Sequence, residues 1–324
     1  MIITKSPLRI SIAGGSTDVC SYAKLYTGFW ISASIDKFVF VTVTRPFQEG
    51  IYLKYSQLEK IKEVEQIKHS IIRECLNHIK FNTPQIEITT LADIPAGTGL
   101  GSSSSFTTAL LKALYIYRKK SIDTKQLAQL ACEIEIDKLK APIGIQDQYI
   151  SAYGGVRCFE YDGVDVITYP LNISYNTLME LEDNLLLFFS GFTRDANKIL
   201  AEQDKKTKEM NQEMIDNLHQ IKIMGIDAKK YLEDGNIKEF GNIMNHHWNI
   251  KKQRSNNISN PQINEWVEYA LQNGAMSAKN IGAGGGGFIL TLAKNKDKLR
   301  QAMSKIPLEE VRFKFDFEGT KCIL

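Results

Sequence analysis

The stretch Ile94 to Ser105, IPAGTGLGSSSS, places three glycines and four serines directly before the amphipathic run FTTALLKALYIY. Glycines let a backbone approach an anion closely. The free N–H groups of a first helical turn point at it, and the positive end of the helix dipole favours its charge. A flexible Gly/Ser linker is the alternative. Against it, Phe106, Leu110, Ala113 and Tyr117 recur at helical spacing immediately afterwards, and a linker has no reason to end in a buried helix.

Three other stretches carry residue types suited to chemistry. In PLRISIAGGSTD, Pro7 to Asp18, a strand pattern ends in two glycines, two hydroxyls and a carboxylate; alone it is an ordinary strand and turn. Glu135 follows Ala128, Ala131 and Cys132 at spacings of seven, four and three, so its carboxylate emerges from a small apolar helical stripe and needs a partner. Asp147 lies between two glutamines, among Ile145, Tyr149 and Ile150, just after a Pro-Ile-Gly turn. A salt bridge for Glu135 and a helix N-cap for Asp147 remain open at this point. The run IGAGGGGFIL, Ile281 to Leu290, satisfies the dinucleotide fingerprint through Gly282, Gly284 and Gly287, yet the strand FILTLA follows where that motif needs a helix. Its glycines point instead to a close backbone approach, to a ligand or to another domain. A Walker A motif is absent, so nucleotide use would not be of the P-loop kind.

The elements that must position these residues follow from periodicity. LRISIAG, FWISASI and FVFVTVTR read as strands separated by short polar turns, followed by a helical stretch from about Ser56 to Ile79. The strand IEITTL, Ile86 to Leu91, delivers the chain into the glycine-serine loop. A helix covers Thr124 to Leu139, and the strand VRCFEY follows GIQDQYISAYGG. Leu171 to Asn184 has no clear periodicity and is the expected domain boundary. Beyond it come the strand LLLFFSG, helical patterns over Thr193 to Leu232 with a break at Gly225, and helices near Ile237–Ile250 and Pro261–Gln272. The chain then ends strand, helix, strand in FILTLA, KLRQAMSKI and VRFKFDF.

Composition excludes several classes. The 324 residues are 43% hydrophobic and 24% charged, enough for two packed domains. The net charge of +3 comes from 40 basic and 37 acidic residues, interspersed without a basic aromatic stripe, so nucleic acid is not an expected partner. Cys20, Cys75, Cys132, Cys158 and Cys322 are scattered, without metal-ligand spacing, and read as reduced core thiols. No apolar run reaches the roughly 18 residues of a membrane span, and Lys5 and Arg9 interrupt the place of a signal peptide. The expectation is a cytoplasmic protein without a membrane partner.

Taken in order, PLRISIAGGSTD, IPAGTGLGSSSS, the Glu135–Asp147 segment and IGAGGGG resemble the three signature motifs and the catalytic segment of the GHMP kinases. Within that superfamily, PLRISIAGGSTD, PIGIQDQYISAYGG and FFSGFTRDANKIL resemble the D-glycero-D-manno-heptose 7-phosphate kinases. Galactokinases typically show Glu-His where Gly15 and Ser16 stand. Heptose kinases often have a third glycine at the Ser16 position and a lysine at that of Ile145.

The resemblance implies an α+β, two-domain GHMP kinase fold. Residues 1–175 would form the ATP-binding N-terminal domain, a mixed sheet with helices in a ribosomal-protein-like βαβ fold. Residues 176–324 would form a C-terminal ferredoxin-like α/β domain. It implies ATP- and Mg²⁺-dependent phosphorylation of the anomeric hydroxyl of heptose 7-phosphate to the 1,7-bisphosphate, for nucleotide-heptose synthesis toward surface polysaccharide (capsule, S-layer or lipopolysaccharide). Another sugar 1-kinase, such as one acting on fucose, and a non-catalytic nucleotide-binding regulator are the alternatives. Asp147 matches the general base and Arg9 the cation between nucleophile and γ-phosphate. Ser103 and Glu135 match the magnesium ligands. Gly97, Thr98, Gly99, Leu100, Gly101, Ser102, Ser103 and Ser104 would wrap the nucleotide phosphates. Gly15, Ser16, Thr17 and Asp18 would hold the sugar, with Gly284, Gly285 and Gly286 bounding its pocket. Arg194 is the candidate for the distal phosphate, since a guanidinium grips phosphate bidentately; a surface ion pair is its ordinary alternative. The expected partners are a sugar phosphate and a nucleotide, with a homodimer admitted.

Overall fold

The computed structural model describes residues 1–83, 85–192, 196–255 and 257–324. In β1 (Ile2–Ala13), Leu8, Ile10 and Ile12 alternate into the core, the period of a strand with one buried face. After α1 (Cys20–Tyr26), the runs FWISASI and FVFVTVTR form one strand, β2 (Gly28–Thr44), rather than two. The polar pair Asp36–Lys37 does not turn the chain, because the register against β1 slips between Pro7 and Leu8 and a bulge absorbs the extra residues.

The helix expected over Ser56–Ile79 is confined to its last part. β3 (Gly50–Lys54), β4 (Leu58–Ile61) and a 3₁₀ turn at Val64–Gln66 precede α2 (Ser70–His78). Leu58, Ile61, Val64 and Ile67 lie three apart and imitate a helical stripe, but Glu59 and Ile61 pair with Leu53 and Ile51 across a hairpin. β5 (Gln85–Ala92) runs parallel to β3 and leads through the glycine-serine loop into α3 (Ser102–Tyr117). α4 (Thr124–Cys132) passes into a π-helical turn, Glu133–Lys138, in place of an unbroken α-helix. Such turns concentrate at functional sites, and this one carries Glu135. α5 (Gln146–Tyr153), β6 (Val156–Tyr161) and β7 (Val166–Pro170) follow, β6 pairing with the first half of β2 while β5 pairs with its second half.

The stretch without periodicity contains a helix, α6 (Tyr175–Asn184), whose N-cap Ser174 accepts from Thr177 N. β8 (Leu185–Phe189) and α7 (Ala196–Lys208) come next. The break before α8 (Gln212–Glu233) falls at the capping residue Asn211, not at Gly225. Gly225 sits inside α8, where a Cβ would stand 3.1 Å from Gly14 Cα, so it serves a close approach to the end of β1. α9 (Ile237–Lys252) and α10 (Pro261–Gln272) match expectation. β9 (Ala275–Ile281), β10 (Phe288–Ala293), α11 (Lys296–Met303), β11 (Glu309–Glu310) and β12 (Lys321–Cys322) complete the chain.

The mixed first sheet has the path β12-β1-β2-β5-β3-β4, with β6 on β2 and β7 on β6. The second is antiparallel, in the order β11-β8-β10-β9. VRFKFDF is a strap between the sheets rather than a full strand: Val311 N donates to Leu187 O, and Phe315 bridges Ile35. One core cluster joins both sheets, from Ile10 and Trp30 to Leu187 and Phe288. A second, with Trp248, Ile263, Trp266 and Leu299, lies beneath α9, α10 and α11. All five cysteines are free thiols. Among the described residues, no helix is long and apolar enough to cross a membrane.

Candidate functional site

Arg9 on β1, Asp147 in the first turn of α5 and the loop before α3 meet at one point. Arg9 Nε and Nη2 each donate to Asp147 at 2.6 Å, a bidentate pair, and Nη1 donates to Gly99 O at 2.6 Å. Three of the five guanidinium donors are thereby committed, which fixes the plane and leaves two for a ligand. Gly97, Gly99 and Gly101 have φ of 80°, 85° and 77°, left-handed values that a side chain would strain. Gly101 is also the N-cap of α3, and a Cβ there would lie 3.2 Å from both Arg9 Cγ and Asp147 Oδ2. Its lack of a side chain lets the ion pair stand at the mouth of the helix.

The glycine run after β9 docks on this loop, backbone to backbone. A Cβ on Gly282 would be 2.8 Å from Gly99 Cα, and one on Gly287 would be 2.2 Å from Thr98 O. The close approach read in the sequence is therefore made to the glycine-serine loop before α3. A strand precedes the run, where the sequence suggested a helix, but no helix follows it, so the dinucleotide reading stays rejected.

Two cavities share Arg9 and Asp147 on their walls. The larger, about 730 Å³, is lined by Gly97, Thr98, Gly99, Gly101 and Ser102 to Ser104. Leu100 lines neither cavity; it is fully buried, and its carbonyl accepts from Arg9 N. At its other end the larger cavity has Tyr55, His69 and Phe106, the His69 ring 4.9 Å from Tyr55 and 5.2 Å from Phe106. That aromatic end suits a planar base. The sequence gives little sign of it, because Tyr55 and His69 flank the segment whose spacing imitates a helix.

The smaller cavity, about 100 Å³, is lined by Gly15, Ser16 and Asp18. Asp18 is buried, accepting from Ser16 N and Gln146 N, and burial pushes its carboxyl above the usual range. Ser16 holds a φ of 77°, the conformation that a glycine adopts without strain. Thr17 lines neither cavity, since its hydroxyl donates to Gly14 O and Phe29 O inside the fold. Gly284 and Gly286 line the larger cavity rather than the smaller, and Gly285 lines neither. Arg194 lies outside the described residues.

Glu135 fits a hard dication. Ser103 and Ser104 hydroxyls donate to its Oε2 at 3.2 and 3.1 Å, while Oε1 is buried without a hydrogen-bond partner among the described residues, as is the hydroxyl of Ser102. Burial pushes the carboxyl up to about 7, and the Asp147 charge adds to the rise, against the hydroxyls that lower it. A cation beside Ser103 would satisfy that oxygen. Among the described residues no cluster of three or more His, Cys, Asp or Glu could hold a metal, so the donor set suits an ion keeping water and phosphate oxygens.

The smaller cavity also carries His247, Lys251 and Lys279, which sequence reasoning missed. A faint signal exists: His247 and Lys251 are four apart, on the helical face that also carries Phe240 and Met244. Burial pulls the Lys279 ammonium down to about 7. Unfolding restores the ordinary value, so between pH 7 and 10.5 the unfolded chain binds more protons and stability rises with pH. Lys279→Met removes this gradient. The Tm of that variant relative to the parent should decline from pH 7 to pH 10, measured by calorimetry; a pH-independent difference would show that Lys279 keeps its ordinary ammonium in the folded protein.

Comparisons with known proteins agree over nearly the whole chain. The GHMP kinases N terminal domain matches residues 67–155, and the GHMP kinases C terminal domain matches residues 228–310. A D-glycero-alpha-D-manno-heptose 7-phosphate kinase of Campylobacter jejuni is 30% identical, covering 99% of this chain and 98% of its own. The crystal structure of a D-glycero-D-manno-heptose 1-phosphate kinase from Bacteroides thetaiotaomicron superposes with a TM-score of 0.82 at 25% identity, covering 100% of this chain and 99% of that one. An L-fucokinase/L-fucose-1-P guanylyltransferase of Bacteroides fragilis is 25% identical over 90% of this chain and 34% of its own. The expected GHMP kinase fold of mixed α and β content is the observed one, its mixed sheet with helices followed by a second, antiparallel sheet, and the chain belongs to the GHMP kinases, a family of phosphotransferases.

Proposed function

We propose that the chain transfers the γ-phosphate of ATP to the anomeric hydroxyl of D-glycero-D-manno-heptose 7-phosphate, giving the 1,7-bisphosphate. The observation that carries this reading is the Arg9–Asp147 pair on the shared wall of a large cavity and a small polar one. Membership of a kinase family implies ATP, and the names of two relatives point to a phosphorylated heptose. Residues 1–175 would supply the nucleotide loop and residues 176–324 the glycine run that closes over it.

In this reading the triphosphate lies along Gly97 to Ser104, on backbone N–H groups and the α3 dipole, with its base among Tyr55, His69 and Phe106. Asp147 accepts the acceptor hydroxyl's proton, and the two uncommitted Arg9 donors stabilise charge on the transferring group. Phosphoryl transfer asks mainly for such alignment and neutralisation. Mg²⁺ would be held by Ser103 and Glu135, supplying positive charge against the phosphate oxygens. Glu135→Ala should raise the magnesium needed for half-maximal turnover, and for calorimetric binding of an ATP analogue, by at least roughly tenfold. An unchanged metal titration in both would make Glu135 a structural residue. The reaction itself is tested by incubating the protein with MgATP and heptose, heptose 7-phosphate, fucose and galactose. ADP release and phosphorus NMR then identify the acceptor and the new phosphate's position. A new anomeric phosphate on heptose 7-phosphate supports the reading; turnover of fucose instead overturns it.

A further inference from the structure

His247 and Lys251 on α9 and Lys279 on β9 line the smaller cavity together with Asp18, and the three residues are 5%, 7% and 2% exposed. None has a carboxylate partner among the described residues. Lys251 Nζ donates to Gly282 O at 2.6 Å and Asn280 O at 3.3 Å, and Lys279 Nζ to Ile12 O. Both ring nitrogens of His247 are buried with no partner among the described residues. Arg254, 3% exposed, spends Nε on Asn217, and its Nη1 and Nη2 have no partner among the described residues. Burial holds the charged forms of His247, Lys251 and Lys279 down, and for His247 and Lys251 the neighbouring cations add to that. Buried without an anion, such groups give up their protons; an anion joining them favours the charged forms. The same cavity has Arg9 and Asp147 on its wall.

We propose that His247, Lys251 and Lys279 form the docking site for a phosphate that the acceptor carries on the end away from the reacting hydroxyl. The proposal rests on the sugar-phosphate reading above and gives the distal anion a place on α9 and β9. A phosphate here supplies acceptor oxygens to two ammonium groups and an imidazole at once. Anchoring that end would hold the far hydroxyl against Asp147, the use of remote binding to orient the reacting group.

The test compares wild type with Lys251→Met and His247→Leu on heptose 7-phosphate and on unphosphorylated heptose, with MgATP saturating. Losing a charge-assisted hydrogen bond should lower kcat/KM for the phosphorylated sugar roughly 10- to 100-fold more than for the other. In wild type, where no variant has to fold, inorganic phosphate should compete with heptose 7-phosphate and leave heptose turnover undiminished. Equal losses on both sugars, in a wild type that prefers the phosphorylated one, overturn the docking site and leave the substrate reading standing. A wild type that favours unphosphorylated heptose overturns the reading, and the docking site with it.

Discussion

Arg9→Met is expected to slow turnover by roughly 10³- to 10⁵-fold, the range associated with losing an arginine that stabilises charge on a transferring phosphoryl group. The side chain carries three bonds at this junction, two to Asp147 and one to Gly99 O, so its removal frees both the carboxylate and the loop. Arg9→Lys should rescue only partly, because an ammonium cannot span the two carboxylate oxygens and the loop carbonyl together. Affinity for MgATP should fall far less than turnover if, as proposed, the glycine and serine backbone carries most of the phosphate contact. Stopped-flow or quench measurement of a single turnover separates the two. An Arg9→Met enzyme within tenfold of wild type would remove the guanidinium from the transition state.

Asp147→Asn is the second large effect. It keeps the shape and one acceptor oxygen but cannot take a proton, so ATP binding should stay nearly intact while turnover drops roughly 10²- to 10⁴-fold. The Asp147 side chain is 25% exposed against 7% for Arg9, so it is the more accessible member of the pair. Because the two groups act as a unit, the double variant should be little slower than the slower single one. Full activity in Asp147→Asn would remove that residue from the mechanism; additive losses would show independent roles.

What the sequence reveals and conceals follows from range. The motif residues that make the phosphate cradle are contiguous, and their local conformations, the left-handed glycines of the loop and the helix opened by Ser102, follow from residue type. The convergence of Arg9 with Asp147 spans 138 positions and is legible only through resemblance to a family. Periodicity failed where long-range pairing overrode it. Leu58 and Ile61 have helical spacing but belong to a hairpin, and the alternation of VRFKFDF serves a strap rather than a strand. Gly225 has the residue type of a helix breaker, yet it lies in a helix, where a Cβ would press to 3.1 Å from Gly14 Cα. The basic set is hidden for the same reason. Lys251 and Lys279 are 28 positions apart, and in a chain with 40 Lys and Arg nothing local marks those that are buried.

The direct measurement is a crystal structure of the protein with a non-hydrolysable ATP analogue, Mg²⁺ and heptose 7-phosphate. The account predicts the triphosphate along Gly97 to Ser104, with its terminal phosphate at Arg9 and the anomeric oxygen within about 3 Å of an Asp147 oxygen. A triphosphate bound away from that loop, or an acceptor hydroxyl out of reach of Asp147, would contradict it.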